Sequence, residues 1–372
     1  MQFGLSESQQ ILKNNARKFF AAECPMSEVR RIMETAEAHD EKLWRAMAGQ
    51  GFLGATYSEE AGGMGLGYVE LAALTEEMGR ALVPGAFLSN LLAGSAIQAA
   101  GSKLHLSELA SGSKKATLAL LESTANWDPG GVAMPALDGE KLFVPDAGIA
   151  DVIVVAARDR GELALYAVDA GSVTRTPMPA VDLTRRLYKV GFHNAKSELL
   201  ARGDGAQQAL EHALDVATVA LCGEMTGGMQ RTMEIAVEYA KTRKQFGKPI
   251  GQYQAVQHQC ADMFLWTESS RSATLYAAWA LTEGVADARS AVSVAKVYAS
   301  DACREVGNRG IQVQGGMGFT WENDTHLFYR RAKASEIAFG DAAYHRERIA
   351  KMVVDRAGAR ASKRESSVPV GV

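Results

Sequence analysis

The chain has 372 residues, of which 47% are hydrophobic and 22% charged, enough apolar material for two or three packed units. A net charge of -3 supplies no basic field and excludes sequence-independent binding to nucleic acid or anionic lipid, so any phosphate must be gripped locally. The four cysteines, Cys24, Cys222, Cys260 and Cys303, lie far apart with no CxxC or Cys/His cluster, which argues against a metal site or a disulfide framework and leaves buried free thiols.

The opening MQFGLSESQQ is polar and unlike a signal peptide, and no apolar run approaches the roughly 20 residues of a membrane span, so a cytoplasmic protein without a membrane segment is expected. From Ser6 to about Leu109 apolar residues recur at intervals of three and four: Leu12, Phe19 and Phe20, then Leu43, Trp44 and Met47, then Leu71, Leu74 and Met78. Breaks at Cys24-Pro25, Gly62 to Gly67 and Val83-Pro84-Gly85 separate these helices. Between Ala116 and Glu198 the period shortens, and ATLALLE, KLFVP, DVIVVAAR, ELALYAV and VTRTPMP read as strands of a small β domain. From Gly205 the helical pattern returns as one stripe from Leu210 to Val237, followed by helices expected over Gln252–Glu283, Asp287–Asn308 and Ser335–Arg356. LYAAWALTEG and AVSVAKVYAS carry apolar residues on more than one helical face, which predicts association into an oligomer. The tail AGARASKRESSVPVGV has no apolar face and is expected to fray or to lie on a neighbour.

GGMGLG, Gly62 to Gly67, does not satisfy GxGxxG and follows no strand, so a turn between helices is the better reading. The seven histidines are scattered and suggest no catalytic constellation. Two segments stand out. EYAKTRKQFGKPIGQYQAVQH places Arg243, Lys244 and Lys248 around Phe246 and Gly247, where favourable charge at a helix C-terminus would by itself explain the lysines. GIQVQGGMGFTWENDTHLFYRRAK holds Gly315, Gly316 and Gly318, either a plain turn or a place where backbone approaches a ligand closely.

RKQFGKPI, followed about seventy positions on by QVQGGMGF and then by an arginine-lysine stretch, resembles the acyl-CoA dehydrogenase family, and the resemblance extends over essentially the whole chain. It implies an α+β, mostly α fold. An N-terminal helical domain would occupy 1–115, a middle β-barrel-like domain 116–202 and a C-terminal four-helix bundle 203–358, with a flexible tail over 359–372. It also implies FAD between the subunits of a dimer or tetramer, an acyl-CoA substrate, and an electron-transfer flavoprotein or similar acceptor. By the same resemblance Arg243 would reach the pyrophosphate of a neighbour's FAD, Phe246 would pack on that cofactor, and Gln312, Gly315 and Gly316 would take its adenosine end.

Such an enzyme needs a carboxylate to remove the weakly acidic α-proton of the thioester as the β-hydrogen leaves as hydride. Most members place it in an E-G-T triplet, which falls here on Phe339, Gly340 and Asp341; others use a helical position that aligns with Ala217. Neither position carries a carboxylate. The flavin-contacting T-E-P-G-A-G-S-D loop is reduced to LLESTANWDP with Glu122 retained, the W-I-T strand becomes Phe143, Val144 and Pro145, and an arginine becomes Thr218. These losses fall on the side that would contact the chain's own flavin, whereas the retained RKQFG and QGGMG face a partner's. Three readings follow. The chain is the complementing subunit of a hetero-oligomer with another acyl-CoA dehydrogenase chain, a self-sufficient homo-oligomer using a displaced carboxylate such as Asp341, or a non-catalytic assembly scaffold.

Overall fold

The structure, a computed structural model, describes residues 4–365. Helix α1 (Glu7–Glu23) starts where Ser6 accepts from the backbone of Gln9 and the Gln9 side chain returns to the Ser6 backbone, two otherwise orphaned N–H groups satisfied reciprocally. Helices α2 (Met26–Met33), α3 (Glu41–Gly49), α4 (Tyr68–Arg80), α5 (Phe87–Ala99) and α6 (Leu106–Ala110) complete the first unit. Gly62 to Gly67 forms the approach to α4, as a turn between helices.

Seven strands follow: β1 (Ala116–Ala119), β2 (Asp138–Pro145), β3 (Val152–Asp159), β4 (Glu162–Asp169), β5 (Thr174–Met178), β6 (Leu187–His193) and β7 (Ser197–Arg202). They make a four-stranded sheet in the order β1-β3-β4-β7 and a three-stranded sheet in the order β2-β6-β5. β3 explains how the two sheets are held. Its residues Ile153, Val155 and Ala157 face a core shared with Val144, Val190 and Phe192, while Val152, Val154 and Ala156 join the core of the helices. Both faces are buried, which is why DVIVVAAR reads as a continuous apolar run and not as an alternation. β6 and β7 add to the strands expected from the sequence.

The long helix α7 (Asp204–Thr242) leads through the strands β8 (Lys244–Gln245) and β9 (Lys248–Pro249) to α8 (Gln254–Thr282), α9 (Ala288–Gln314), α10 (Thr325–Ile337) and α11 (Ala342–Glu365). α7 packs tightly on α4 because glycines sit at the crossing: a Cβ on Gly227 would lie 1.7 Å from the Glu76 carbonyl oxygen, and one on Gly79 1.9 Å from that of Glu224. Two helix bounds differ from expectation. α9 runs past Asn308 to Gln314, and the helix expected over Ser335–Arg356 is two helices, because Phe339 (φ +58°) and Gly340 (φ +97°) are both left-handed. Only glycine suits the second position, since a Cβ there would sit 2.2 Å from the Tyr344 ring. The expected flexible tail, 359–372, is helical backbone as far as Glu365, and its remainder lies outside the described residues.

Buried charge ties the three units together. Arg331 of α10 donates to Asp182 at 2.5 Å, to Glu224 of α7, to Thr184 and, at 3.1 Å, to the carbonyl oxygen of Val83; Arg185 adds bonds of 2.8 and 2.6 Å to Glu224. Among the described residues no helix is long and apolar enough to cross a membrane, and no cluster of His, Cys, Asp or Glu could hold a metal. All four cysteines are free, Cys260 being half-buried and the others buried.

Candidate functional site

The basic segment at the end of α7 forms a projecting hairpin rather than a helix end. β8 and β9 pair antiparallel, with Lys244 opposite Pro249 and Gln245 opposite Lys248. The two residues between them, Phe246 (φ +50°) and Gly247 (φ +81°), both take positive φ, as a tight hairpin turn requires. Every side chain from Lys241 to Lys248 is exposed, and Phe246 is 92% exposed at the tip. Its one ring contact among the described residues is the edge of Tyr253, with centroids 6.4 Å apart, which leaves most of the Phe246 ring open to solvent. The hairpin is braced from below by Tyr253, whose hydroxyl donates to the Gln245 carbonyl oxygen at 3.1 Å and whose ring lies under Lys248 Nζ at 4.4 Å. Arg243 supplies its backbone carbonyl to Ile250 at 2.8 Å, and no hydrogen bond or ion pair engages its guanidinium among the described residues.

The second motif sits at the C-terminal end of α9. Gln312, Gly315 and Gly316 are exposed there, and a Cβ on either glycine would meet open space. Gln314 instead turns inward, donating to Thr325 at 2.7 Å and accepting from Asn323 at 2.6 Å, which fixes the glycine turn onto α10. Arg309, one turn before Gln312, lies over the Trp266 ring of α8 at 5.6 Å. The hairpin leads into α8 and the glycine turn closes α9, and because these helices run antiparallel both motifs lie at the same end of the pair, with Phe264 and Leu265 exposing large apolar side chains in the half of α8 nearer that end.

The residues expected at the chain's own reaction centre form a different picture. Phe339 is buried, its ring meets the Trp127 ring edge-on with centroids 5.5 Å apart, and its carbonyl oxygen accepts from His345 Nε2 at 3.0 Å. Lys296, wholly buried, caps the end of α10 with bonds of 2.9 Å to the carbonyl oxygens of both Ser335 and Glu336, and burial lowers its pKa. Asp341 is exposed and accepts from the Tyr344 backbone N–H at 2.8 Å, which makes it the N-cap of α11. Ala217 is buried within α7 and has nothing to titrate, and the Thr218 hydroxyl donates to the Leu214 carbonyl oxygen at 2.6 Å. The nearest carboxylate along α7, Asp215, is bound by Arg348 at 2.7 Å and Arg289 at 3.4 Å; burial raises its pKa, and the two guanidiniums oppose that.

Glu122 is occupied too. It accepts from Lys141 Nζ at 2.7 Å and from the backbone of Ala133 and Met134; burial pushes its carboxyl up, but these bonds hold it below the usual range. Pro145 offers no N–H, and its carbonyl oxygen is taken by Thr117 at 2.6 Å. Sequence reasoning missed Trp127, Lys296 and His345. Trp127 stood inside the quoted loop, and only its contact with Phe339 shows what it does.

Comparison with known proteins agrees with this architecture. The acyl-CoA dehydrogenase C-terminal domain matches residues 203–354 and the N-terminal domain 6–109. The chain is 32% identical over 332 residues to acyl-CoA dehydrogenase IpdE2 of Mycobacterium tuberculosis, covering 88% of this chain and 92% of that one. Among solved structures it is similar to the ChsE4-ChsE5 complex from Mycobacterium tuberculosis, with a TM-score of 0.86, 26% identity, and coverage of 95% of this chain and 99% of that one. A variant of the Tcur3481-Tcur3483 steroid ACAD gives the same TM-score of 0.86 at 29% identity, with coverage of 95% and 99%. The chain belongs to the acyl-CoA dehydrogenase family of FAD-dependent oxidoreductases.

Proposed function

We propose that this chain is the complementing subunit of a hetero-oligomeric acyl-CoA dehydrogenase, in which a second chain of the family supplies the catalytic carboxylate. The observation that carries the reading is the absence, among the described residues, of a free carboxylate where the base should stand: Phe339 and Ala217 occupy the two positions, Asp341 caps α11, and Asp215 is bound by two arginines. In the family's reaction a carboxylate takes the α-proton of an acyl-CoA thioester while FAD accepts the β-hydrogen as hydride. In the mixed enzyme this chain contributes grip. Arg243 pairs with the pyrophosphate of the partner's FAD, Phe246 packs on that cofactor, and Gln312, Gly315 and Gly316 take its adenosine end.

Two similar solved structures, the ChsE4-ChsE5 complex and the Tcur3481-Tcur3483 steroid ACAD, pair two chains and support a mixed assembly, and the second makes a steroid-derived acyl-CoA the substrate to test first. An electron-transfer flavoprotein or a similar carrier is the acceptor, and the setting is cytoplasmic. The exposed hairpin, whose Arg243 guanidinium meets no hydrogen-bond or ion-pair partner among the described residues, argues against a scaffold with no part in cofactor binding.

The test is co-expression with a family chain encoded alongside it that carries the E-G-T glutamate, followed by flavin analysis and acyl-CoA oxidation with an artificial acceptor. Flavin and activity confined to the mixed complex are expected. A homo-oligomer that holds FAD and loses its activity on Asp341→Asn would instead make Asp341 the base.

A further inference from the structure

We propose that Trp127 and Phe339 together plug this chain's own flavin and thioester site, so that a pair of unlike chains carries one FAD and one substrate site rather than two; this rests on the mixed-assembly reading above. The argument is geometric. A base and a hydride acceptor working on adjacent carbons must flank the substrate, each about 3–3.5 Å from its reacting atom, so the acyl chain needs a layer of its own between them. Here the residue at the base position and a residue of the shortened flavin loop touch directly, ring edge to ring face, with centroids 5.5 Å apart and planes at 78°. No layer is left.

The contact is built in from both sides. Phe339 sits in the left-handed region at φ +58°, a conformation costly for a bulky residue. It is held there by His345 on its carbonyl oxygen, by Lys296 on the end of α10 and by the Asp341 cap. On the other side, Trp127 packs against the helical core, and its loop is anchored by Lys141, which donates to the Leu120 carbonyl oxygen at 3.0 Å and to Glu122 at 2.7 Å. Asp128 closes the loop by accepting from Gly130 at 2.9 Å. Three polar groups on the flavin side are spent inside the chain: Glu122 on Lys141, Thr218 on Leu214, the Pro145 carbonyl on Thr117. An isoalloxazine ring placed here would find an aromatic side chain in its space. The residues do not fit the group, while the hairpin bearing Arg243 and Phe246 stays exposed for a cofactor held elsewhere.

Flavin stoichiometry decides the matter. The complex purified with its glutamate-bearing partner is expected to hold one FAD per two chains by absorbance after denaturation, and the isolated wild-type chain none. In the isolated chain Trp127→Gly combined with Phe339→Ala is expected to raise FAD affinity at least tenfold, read by flavin fluorescence on a variant with wild-type circular dichroism. Failure of that folded variant to gain flavin would overturn the plug, and if the variant does not fold, the stoichiometry of the wild-type complex decides alone. Two FAD per unlike pair would overturn the plug and leave the pairing intact. A chain that finds no family partner yet gains flavin in the double variant would support the plug and overturn the pairing.

Discussion

His345 holds Phe339 in place: its Nε2 lies 3.0 Å from the Phe339 carbonyl oxygen, while its Nδ1 lies 3.2 Å from Ser293 Oγ. A carbonyl can only accept, so Nε2 carries the proton and Nδ1 receives the Ser293 hydroxyl. Burial pushes the imidazole pKa down to about 4, helped by Lys296 and Arg348 nearby. Between that value and the ordinary 6.5 the unfolded chain binds the extra proton and the folded chain does not. The stability due to the neutral imidazole is therefore complete above pH 6.5 and lost as pH falls toward 4, in total about 3 kcal/mol. Urea titrations at pH 7 and pH 5 should show a difference that shrinks by about 2 kcal/mol in His345→Gln. An unchanged pH difference in that variant would mean that His345 does not titrate as its burial implies.

Arg331 is the second stability test. Its guanidinium is the shared partner of Asp182 and Glu224, both buried, and burial opposes the charge that these carboxylates sustain. Arg331→Ala leaves two carboxylates close together with too few counter-charges, a loss of about 3–5 kcal/mol. The urea midpoint should fall accordingly. A change under about 1 kcal/mol would show that Arg185, already bonded to Glu224, suffices by itself.

How far these features were legible in the sequence depends on whether they are local. The period of three and four along α7 and the apolar run of β3 reflect which faces those elements bury, and both can be read from residue order alone. The break between α10 and α11 cannot. ASEIAFGDAAYHRE keeps a helical texture through it, and a phenylalanine at positive φ is a conformation that propensity does not anticipate. The projecting hairpin was hidden for a related reason, since its turn places Phe246 rather than asparagine or aspartate before the glycine. Trp127 against Phe339 and His345 against the Phe339 carbonyl join residues of separate elements, so only the assembled fold displays them.

Asp341 separates a cap from a base. As N-cap of α11 it accepts the Tyr344 N–H, a role that asparagine fills as well as aspartate, whereas alanine forfeits about 1 kcal/mol. Asp341→Asn should therefore leave both stability and the turnover of the mixed complex nearly unchanged, and Asp341→Ala should lower only stability. A collapse of turnover in Asp341→Asn with flavin retained would assign it the proton transfer instead.

Arg243 tests the grip across the interface. Its guanidinium has no hydrogen-bond or ion-pair partner among the described residues of its own chain, and the hairpin that carries it is braced by backbone pairing and by Tyr253. Truncating it removes nothing that this fold uses, so the denaturation midpoint of Arg243→Ala should match the wild type. If the side chain neutralises a pyrophosphate on the neighbouring subunit, the same variant loses a charge-assisted contact and leaves the phosphate underpaired, about 2 kcal/mol or roughly thirtyfold in FAD dissociation constant. Lysine keeps the charge but cannot present two parallel donors, so Arg243→Lys should recover part of that loss and not all of it. Flavin release from the mixed complex, followed by fluorescence on dilution, reads both variants. Equal release from the wild type and Arg243→Ala would remove Arg243 from the cofactor site.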